Sequence, residues 1–405
     1  MSRIDELLAE LCPQGVAFRS LGEVAEVRSG WGFPNAYQGS PDGTYPFYKV
    51  SDMNAPGNSL VMRRANNYVS REIAARLGVS PAPPGTVVFP KIGAAVATNK
   101  KRLLSVDSAY DNNVMGIVPS SALLPRYFLY WMQTFDLSRI ANDSGAVPSI
   151  RKSEMLQVPI PVPPVEVQRE IVKVLDTFTA LEAELEAELE ARQLQYSFYR
   201  NHLLTFPTTD GVPWVTLEDV ASFTNAKPHE RLVDPNGDVA LMTSRFISTQ
   251  GRSARYVHAA DVLTPAHKDD VALVMSDLPN GRALARAFFV DSDGKYAANQ
   301  RVCLLTVGDK AQLLPRFLYY IVDRNKQLLA YDSGVDQTHL KKGYILAVQI
   351  PVPPIAEQER IVDILDRFDA LVNDLSIGLP AELKARRQQY EYYRDKLLSF
   401  DEAVA

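Results

Sequence analysis

Only two of the 405 residues are cysteine, Cys12 and Cys303, and neither has a CxxC or Cys/His neighbour. That scarcity argues against a disulfide framework and against a zinc site. Cys303, inside Val302-Cys303-Leu304-Leu305, reads as a core residue. No apolar run approaches the roughly 18 to 20 residues that a bilayer span requires. The opening Met1-Ser2-Arg3-Ile4-Asp5-Glu6 is not a signal peptide, so a cytoplasmic chain without a membrane partner is expected. An excess of positive charge is missing too, the formal net charge being −5. Acid gathers in two helical segments, and the globular segments are neutral to basic, so the distribution leaves a polyanion partner open.

What is present is a repeat. Residues 160–206 return, altered, as 350–400. Both copies read Ile-Pro-Val-Pro-Pro, then Gln168 or Gln358, then Leu175-Asp176 or Leu365-Asp366. Both continue into a Tyr-rich stretch, Gln195-Tyr196-Ser197-Phe198-Tyr199-Arg200 beside Gln389-Tyr390-Glu391-Tyr392-Tyr393-Arg394. Ile171, Leu175, Phe178, Leu185, Leu189, Tyr196, Tyr199 and Leu203 fall at steps of three and four or their sums, which predicts a long amphipathic helix with a coiled-coil seam. The second copy repeats the seam at Ile361, Leu365, Phe368, Val372, Leu375, Leu379, Leu383, Tyr390, Tyr393 and Leu397. It holds four additional residues around Gly378 and Pro380, where a helix break is expected. The glutamates of the Leu-Glu-Ala-Glu run, from Glu182 to Glu190, read as a solvated helix face. A further match of residues 7–24 with 203–220 makes the repeat cyclic, so the segments near the two ends should meet.

Between the helices lie two segments with strand-like runs at 86–89, 271–275 and 301–305. Each closes on Leu-Leu-Pro-Arg and an aromatic stretch, Tyr127 to Trp131 or Phe317 to Tyr320, for which a core role is favoured over base stacking. A length of 405 residues suggests two domains with connecting elements.

This order of globular segment, proline box and long helix, twice over, resembles the specificity (S, HsdS-type) subunits of type I restriction-modification systems. The resemblance covers essentially the whole chain, and Pro46-Phe47-Tyr48-Lys49-Val50-Ser51-Asp52 and Phe89-Pro90-Lys91-Ile92-Gly93-Ala94 are similar to target-recognition sequence. It implies an α+β fold: two globular mixed α/β target-recognition domains, separated by two long helices forming an antiparallel coiled coil, in a pseudo-twofold cyclic repeat. The divisions would be 1–157 (first recognition domain with an N-terminal helical stub), 158–206 (central spacer), 207–347 (second recognition domain) and 348–405 (C-terminal spacer). It further implies a non-catalytic subunit in which each domain reads half of a bipartite double-stranded DNA site. The helices would set the spacer and dock two methyltransferase (M) subunits, and two motor-nuclease (R) subunits would complete a restricting enzyme. No cofactor is expected in this chain; S-adenosylmethionine would sit on the M subunits.

Base readout needs polar side chains on loops, while Lys and Arg on phosphates position the protein. The candidates in the first segment are Lys49, Ser51, Asp52, Arg63, Arg64, Lys91, Asn99, Lys100, Lys101, Arg102, Asn112 and Asn113. In the second, Thr243-Ser244-Arg245 takes the place of Val50-Ser51-Asp52, and Asn280-Gly281-Arg282 lies near that of Lys91. Arg252, Arg255, Lys295, Asn299 and Gln300 complete the set with Ser244, Arg245, Asn280 and Arg282. For each alone, a solvated or turn role is at least as good a reading, and Asn112-Asn113 and Asn280-Gly281 are turn sequences whatever the function. Gln168, Arg169, Gln358 and Glu359 are candidates to bind M subunits, or else they cap and solvate the first helical turns. His258 and His267, lacking a third ligand, read as surface residues.

Two rival functions make different demands on the sequence. An adenine-N6 methyltransferase would carry an Asn/Asp-Pro-Pro-Tyr/Phe box, but the Pro-Pro pairs here are Pro83-Pro84, Pro163-Pro164 and Pro353-Pro354, none in that context. Gly294-Lys295 lacks the upstream glycine and downstream hydroxyl of a phosphate loop. A coiled-coil adaptor that binds only protein, or the specificity subunit of a methylation-only system, stays open.

Overall fold

The computed structural model describes residues 3–142, 147–207, 211–278, 282–332, 334–374 and 376–403. It divides into two compact units, Met1–Glu186 with Glu382–Ala405, and Ala187–Ala381. Each unit therefore joins one recognition segment to parts of both helical segments, where the sequence reading placed domain and spacer in separate divisions.

In the first unit a five-stranded sheet runs in the order Ala25–Ser29, Val114–Pro119, Val87–Pro90, Arg102–Leu104, Val61–Met62. The expected strand at 86–89 is Val87–Pro90, and Val87, Val88 and Phe89 are all fully buried. A continuous apolar run suits a strand covered on both faces. A second, three-stranded sheet places Tyr45–Tyr48 between antiparallel Tyr68–Val69 and parallel Ala109–Tyr110. The second unit repeats this plan with a four-stranded sheet, Ala221–Asn225, Val302–Val307, Val271–Val274, Ala287–Phe289. Its three-stranded sheet holds Val239–Met242 between antiparallel Tyr256–Val257 and parallel Tyr296–Ala298. Cys303 is buried in the four-stranded sheet, as its apolar neighbours imply.

The Leu-Leu-Pro-Arg motifs open helices Pro125–Thr134 and Pro315–Val322, with proline in the first turn where no amide donor is needed. Their aromatics are core residues: Tyr127, Phe128 and Tyr130 in one, Phe317 and Tyr320 in the other. Each proline box forms a short strand. Pro159–Pro161 pairs with Phe18–Ser20, and Gln349–Pro351 with Trp214–Thr216. Edge pairing of this kind tolerates residues without an amide donor.

The first long helix is continuous over Val165–Leu203, 39 residues. Its buried positions, Val167, Gln168, Ile171 and Leu175, all lie near its start. In the first unit Phe178 stacks on Tyr393 at 5.5 Å between centroids, and Arg387 Nε reaches Glu182 Oε1 at 2.6 Å while its Nη2 binds Glu186. Numbers rise on one helix as they fall on the other, so this pairing is antiparallel. Within the otherwise solvated glutamate face, Glu182 and Glu186 therefore hold an arginine. In the second unit Phe368 stacks on Tyr199 at 5.6 Å, the equivalent contact.

The second long helix is broken, as the four additional residues predicted, into Ile355–Asn373 and Leu379–Leu397. A Cβ on Gly378 would lie 2.7 Å from Leu371 O and 2.9 Å from Asp374 O, so the turn requires glycine. Leu375 lies outside the described residues. The cyclic repeat closes inside the first unit. Helix Arg3–Leu11 buries Ile4 and Leu7 in a cluster with Leu398, and Val16 exchanges backbone bonds with Asp401 and Ala403 at 2.9 and 3.0 Å. Among the described residues no helix is long and apolar enough to cross a membrane.

Candidate nucleic-acid interface

In both units several candidate side chains lie beyond the carboxyl ends of two parallel strands of the small sheet, whereas Lys295, which precedes Tyr296–Ala298, lies at the opposite edge. Tyr45–Tyr48 leads into the turn Val50–Asn54, and Ala109–Tyr110 into Asp111 to Asn113. Asp111 N donates to Tyr48 O at 2.9 Å, which ties the two strand ends together. The turn is braced from inside. Asp52 is fully buried, its carboxylate accepting from Lys49 N at 2.7 Å and Asn66 N at 3.0 Å. Asn58, also buried, accepts from the amides of Arg63 and Arg64 and donates to Asp52 O and Arg64 O. Ser51, Arg63, Arg64, Asn112 and Asn113 are exposed around this frame.

Several other candidates serve the same frame from behind. Lys49 Nζ donates to Gln38 Oε1, Lys100 Nζ to Asn54 Oδ1, and Arg102 Nη2 to Met53 O at 3.4 Å. Burial lowers the pKa of Arg102 and of Lys91, whose amide donates to Asn113 O at 2.9 Å. Asn99 takes a left-handed conformation with φ 52° and accepts from Leu137 N and Lys101 Nζ. Lys101 is 1% exposed, donates to Phe135 O, and is pushed down to about 8 by burial. Its ammonium caps the carboxyl end of the Pro125–Thr134 helix, a favourable place for a cation. Asp52 and Lys101 thus leave the set of candidate DNA contacts, because both are buried and hydrogen-bonded within the unit.

In the second unit Val239–Met242 leads into helix Ser244–Ser248, and Asn299 N donates to Met242 O at 3.2 Å. Lys49 and Thr243 occupy equivalent N-cap positions, so Ser51 corresponds to Arg245, one residue away from the register expected from sequence. Lys91 corresponds to Met275 instead of to residues 280–282. The amides at 91 and 275 donate to Asn113 O and Arg301 O, and their carbonyls accept from Ile150 N and Leu340 N. Asn280 lies outside the described residues. Arg245, Arg252, Arg255, Arg282, Lys295 and Gln300 are exposed, and Ser244 is half-buried. Asn299 is 5% exposed and leaves the contact set, its Oδ1 accepting from His229 N and its Nδ2 donating to Glu230 Oε1. His258 and His267 lie exposed beside Asp234 and Asp293 at 3.3 and 3.5 Å. Among the described residues no group of His, Cys, Asp and Glu could hold a metal ion.

The residues expected to face M subunits divide sharply. Arg169 and Glu359 are exposed, but Gln168 and Gln358 are fully buried. Gln168 Oε1 accepts from Leu124 N, and its Nε2 donates to Ala122 O and Pro163 O, all at 2.8 Å. Gln358 does the same with Leu314 N, Gln312 O and Pro353 O. These glutamines leave the partner-facing set, because burial and three internal bonds commit each to fastening its proline box to its Leu-Leu-Pro-Arg helix. A second fastening went unread in the sequence. Arg126 Nε meets Asp176 Oδ1 at 2.8 Å and Tyr130 donates to the same oxygen at 2.5 Å, while Arg316, Tyr320 and Asp366 repeat the arrangement. Its signal was present: Leu-Leu-Pro-Arg precedes Leu-Asp by the same interval in both copies.

The second unit also holds a cleft of about 860 Å³, lined by Arg200, Arg252, Arg286, Asp323, Asp366 and Asp369 among others. Ala287 lines it at the position that Lys101 takes in the first unit when the sheet register is extended by one residue. Its lining carries five arginines and four aspartates, and burial raises the pKa of Asp369.

The type I restriction modification DNA specificity domain, as a sequence family, matches residues 13–191 and again 213–385. The specificity subunit of the EcoR124I/EcoR124II type I restriction enzyme of Escherichia coli is 30% identical over 325 residues, covering 75% of this chain and 78% of that protein. A Haemophilus influenzae protein described as a type I restriction enzyme specificity subunit is 28% identical over 340 residues, covering 78% and 82%. The crystal structure of an S subunit from M. genitalium shares the fold, with a TM-score of 0.55 at 14% identity over 95% of this chain and 96% of that one. The duplicated scaffold and the duplicated family match agree, and the chain belongs to the non-catalytic DNA specificity subunits of type I restriction-modification complexes.

Proposed function

We propose that each recognition segment reads one half of a bipartite double-stranded DNA site, and that the long helices set the spacing and carry two methyltransferase subunits. The observation that carries this reading is the repetition of one strand-end frame with unlike exposed residues: Ser51 and Asn112 in one unit, Arg245 and Gln300 in the other. Alike frames with unlike surfaces suit two different ligands of one chemical class. The continuous helix Val165–Leu203 is about 60 Å long at 1.5 Å per residue, enough to bridge separate stretches of duplex. A unit that occurs twice in one chain suits a site made of two half-sites.

For docking, exposed apolar residues on the helices replace the buried glutamines. Leu194 and Phe198 are 68% and 67% exposed, and Tyr392, equivalent to Phe198, is 62% exposed. An exposed aromatic that occurs twice, Phe198 and Tyr392, suits two copies of one partner, and Arg169 and Glu359 are exposed polar candidates on the same helical segments. S-adenosylmethionine belongs to those M subunits, two R subunits would complete a restricting complex, and the whole would act in the cytoplasm. Methylome sequencing of cells expressing the chain with its M partner tests the reading. A bipartite motif that disappears without this chain is expected; methylation independent of it would mean an adaptor.

A further inference from the structure

The two recognition segments differ in sequence, yet their paired strand ends match residue for residue. Phe47 and Tyr48 lie beside Ala109 and Tyr110, and Leu241 and Met242 beside Ala297 and Ala298, both as parallel neighbours. Parallel strands bring their carboxyl ends to one edge of the sheet. Beyond that edge the buried positions agree in place: Asp52 with Phe246, Met53 with Ile247, and Asp111 with Asn299. The first exposed residue beyond one strand is Ser51 or Arg245, and beyond the other Asn112 or Gln300.

Three of these positions, 51, 112 and 245, differ from their neighbours in leaving the side chain uncommitted, and the fourth is committed only in part. Asn113 is tied to Asp111 Oδ2 at 3.2 Å, and Asn54 receives Lys100. Gln300 gives one amide hydrogen to Glu230 Oε1 at 3.0 Å, which orients the group and leaves its oxygen and second hydrogen available. Among the described residues, the side chains of Ser51, Asn112 and Arg245 make no hydrogen bond; the hydroxyls of Ser248 and Thr249 donate only to the backbone carbonyl of Arg245.

We propose that positions 51 and 112 of the first segment, and 245 and 300 of the second, are the base-reading pairs of the two half-sites. Arg245 takes a guanine through O6 and N7, while Gln300 and Asn112 each take an adenine through N6 and N7. A guanidinium fork matches the two guanine acceptors, and a carboxamide matches the donor and acceptor of adenine. The inference rests on the DNA-reading function proposed above and fixes which residues perform it.

The test is methylome sequencing with the intact M complex carrying Arg245→Ala, Arg245→Lys or Asn112→Ala. Arg245→Ala should reduce discrimination at one guanine of one half-site by roughly 5- to 150-fold, with the other half-site and the spacer unchanged. Asn112→Ala should relax one adenine in the opposite half-site. Wild-type discrimination at every position in Arg245→Ala would overturn the assignment. If alanine abolishes methylation altogether, lysine decides, since it keeps the charge without the fork. Methylation by Arg245→Lys with the guanine relaxed supports base reading, and neither wild-type guanine discrimination nor a lack of methylation in a natively folded complex is compatible with it. A wild-type complex with no bipartite motif would instead sink the underlying function.

Discussion

Replacing Gln168 by leucine separates a structural glutamine from a docking one. The side chain is fully buried and its three bonds, each 2.8 Å, go to one backbone amide and two carbonyls. Leucine has nearly the same volume, so the loss is polar and not a cavity. A buried group left without its partner costs ~1–3 kcal/mol. Two of the three bonds are only part-buried, where water can substitute, so the total expected is about 3 kcal/mol. For a unit of this size that lowers the melting temperature by roughly 6–12 °C. Urea unfolding followed by tryptophan fluorescence reads it directly, because Trp131 is 7% exposed in the core of the same unit. Exposed Arg169→Ala should change stability by less than ~0.5 kcal/mol. A Gln168→Leu variant of unchanged stability that has lost affinity for M subunits would refute the structural assignment and restore the docking one.

Lys101→Met should alter how the first unit responds to pH. The folded lysine releases its proton near 8 and the unfolded one near its ordinary 10.5, so between these values the unfolded chain binds more protons and stability rises with pH. The variant should lack that rise, measured as the urea midpoint at stepped pH; an identical slope in both proteins would count against a buried charged Lys101. Gly378→Ala should destabilise the second unit by about 1–3 kcal/mol, since its methyl group would press on Leu371 O and Asp374 O. Gly343→Ala is the control, its added methyl meeting nothing within 4 Å, and equal unfolding midpoints for the two would dismiss the steric argument.

The long helices, their break, the closure of the cyclic repeat and the core aromatics were legible because each leaves a period, an offset or a motif in the chain. The strand-end frame was only partly legible. Its strands are as short as two residues, Ala109–Tyr110 for example, and so short a run carries no periodicity. Without strand register the alignment of Arg245 slipped by one residue, and Lys91 was matched to the wrong loop. Side-chain type also misled at Lys101, Asp52, Asn299 and the two glutamines. A polar residue in a loop reads the same whether it reaches DNA or turns inward to satisfy backbone groups, and only the three-dimensional partners separate the two. Asn58 left no sequence signal, whereas the Arg126–Asp176 and Arg316–Asp366 pairs were visible as a repeated interval between repeated motifs.

The division of labour between spacer helices and recognition segments is tested most directly by comparing methylomes of the wild-type chain and a deletion of residues 185–188. The deletion removes one Leu-Glu-Ala-Glu repeat and brings Glu190 into the place of Glu186, so a partner for Arg387 is retained. Four residues shorten the helix by about 6 Å, close to the rise of about two base pairs at 3.4 Å each. A motif with both half-sites intact and a shorter spacer is the predicted result. An unchanged spacer, or altered half-sites, would contradict it.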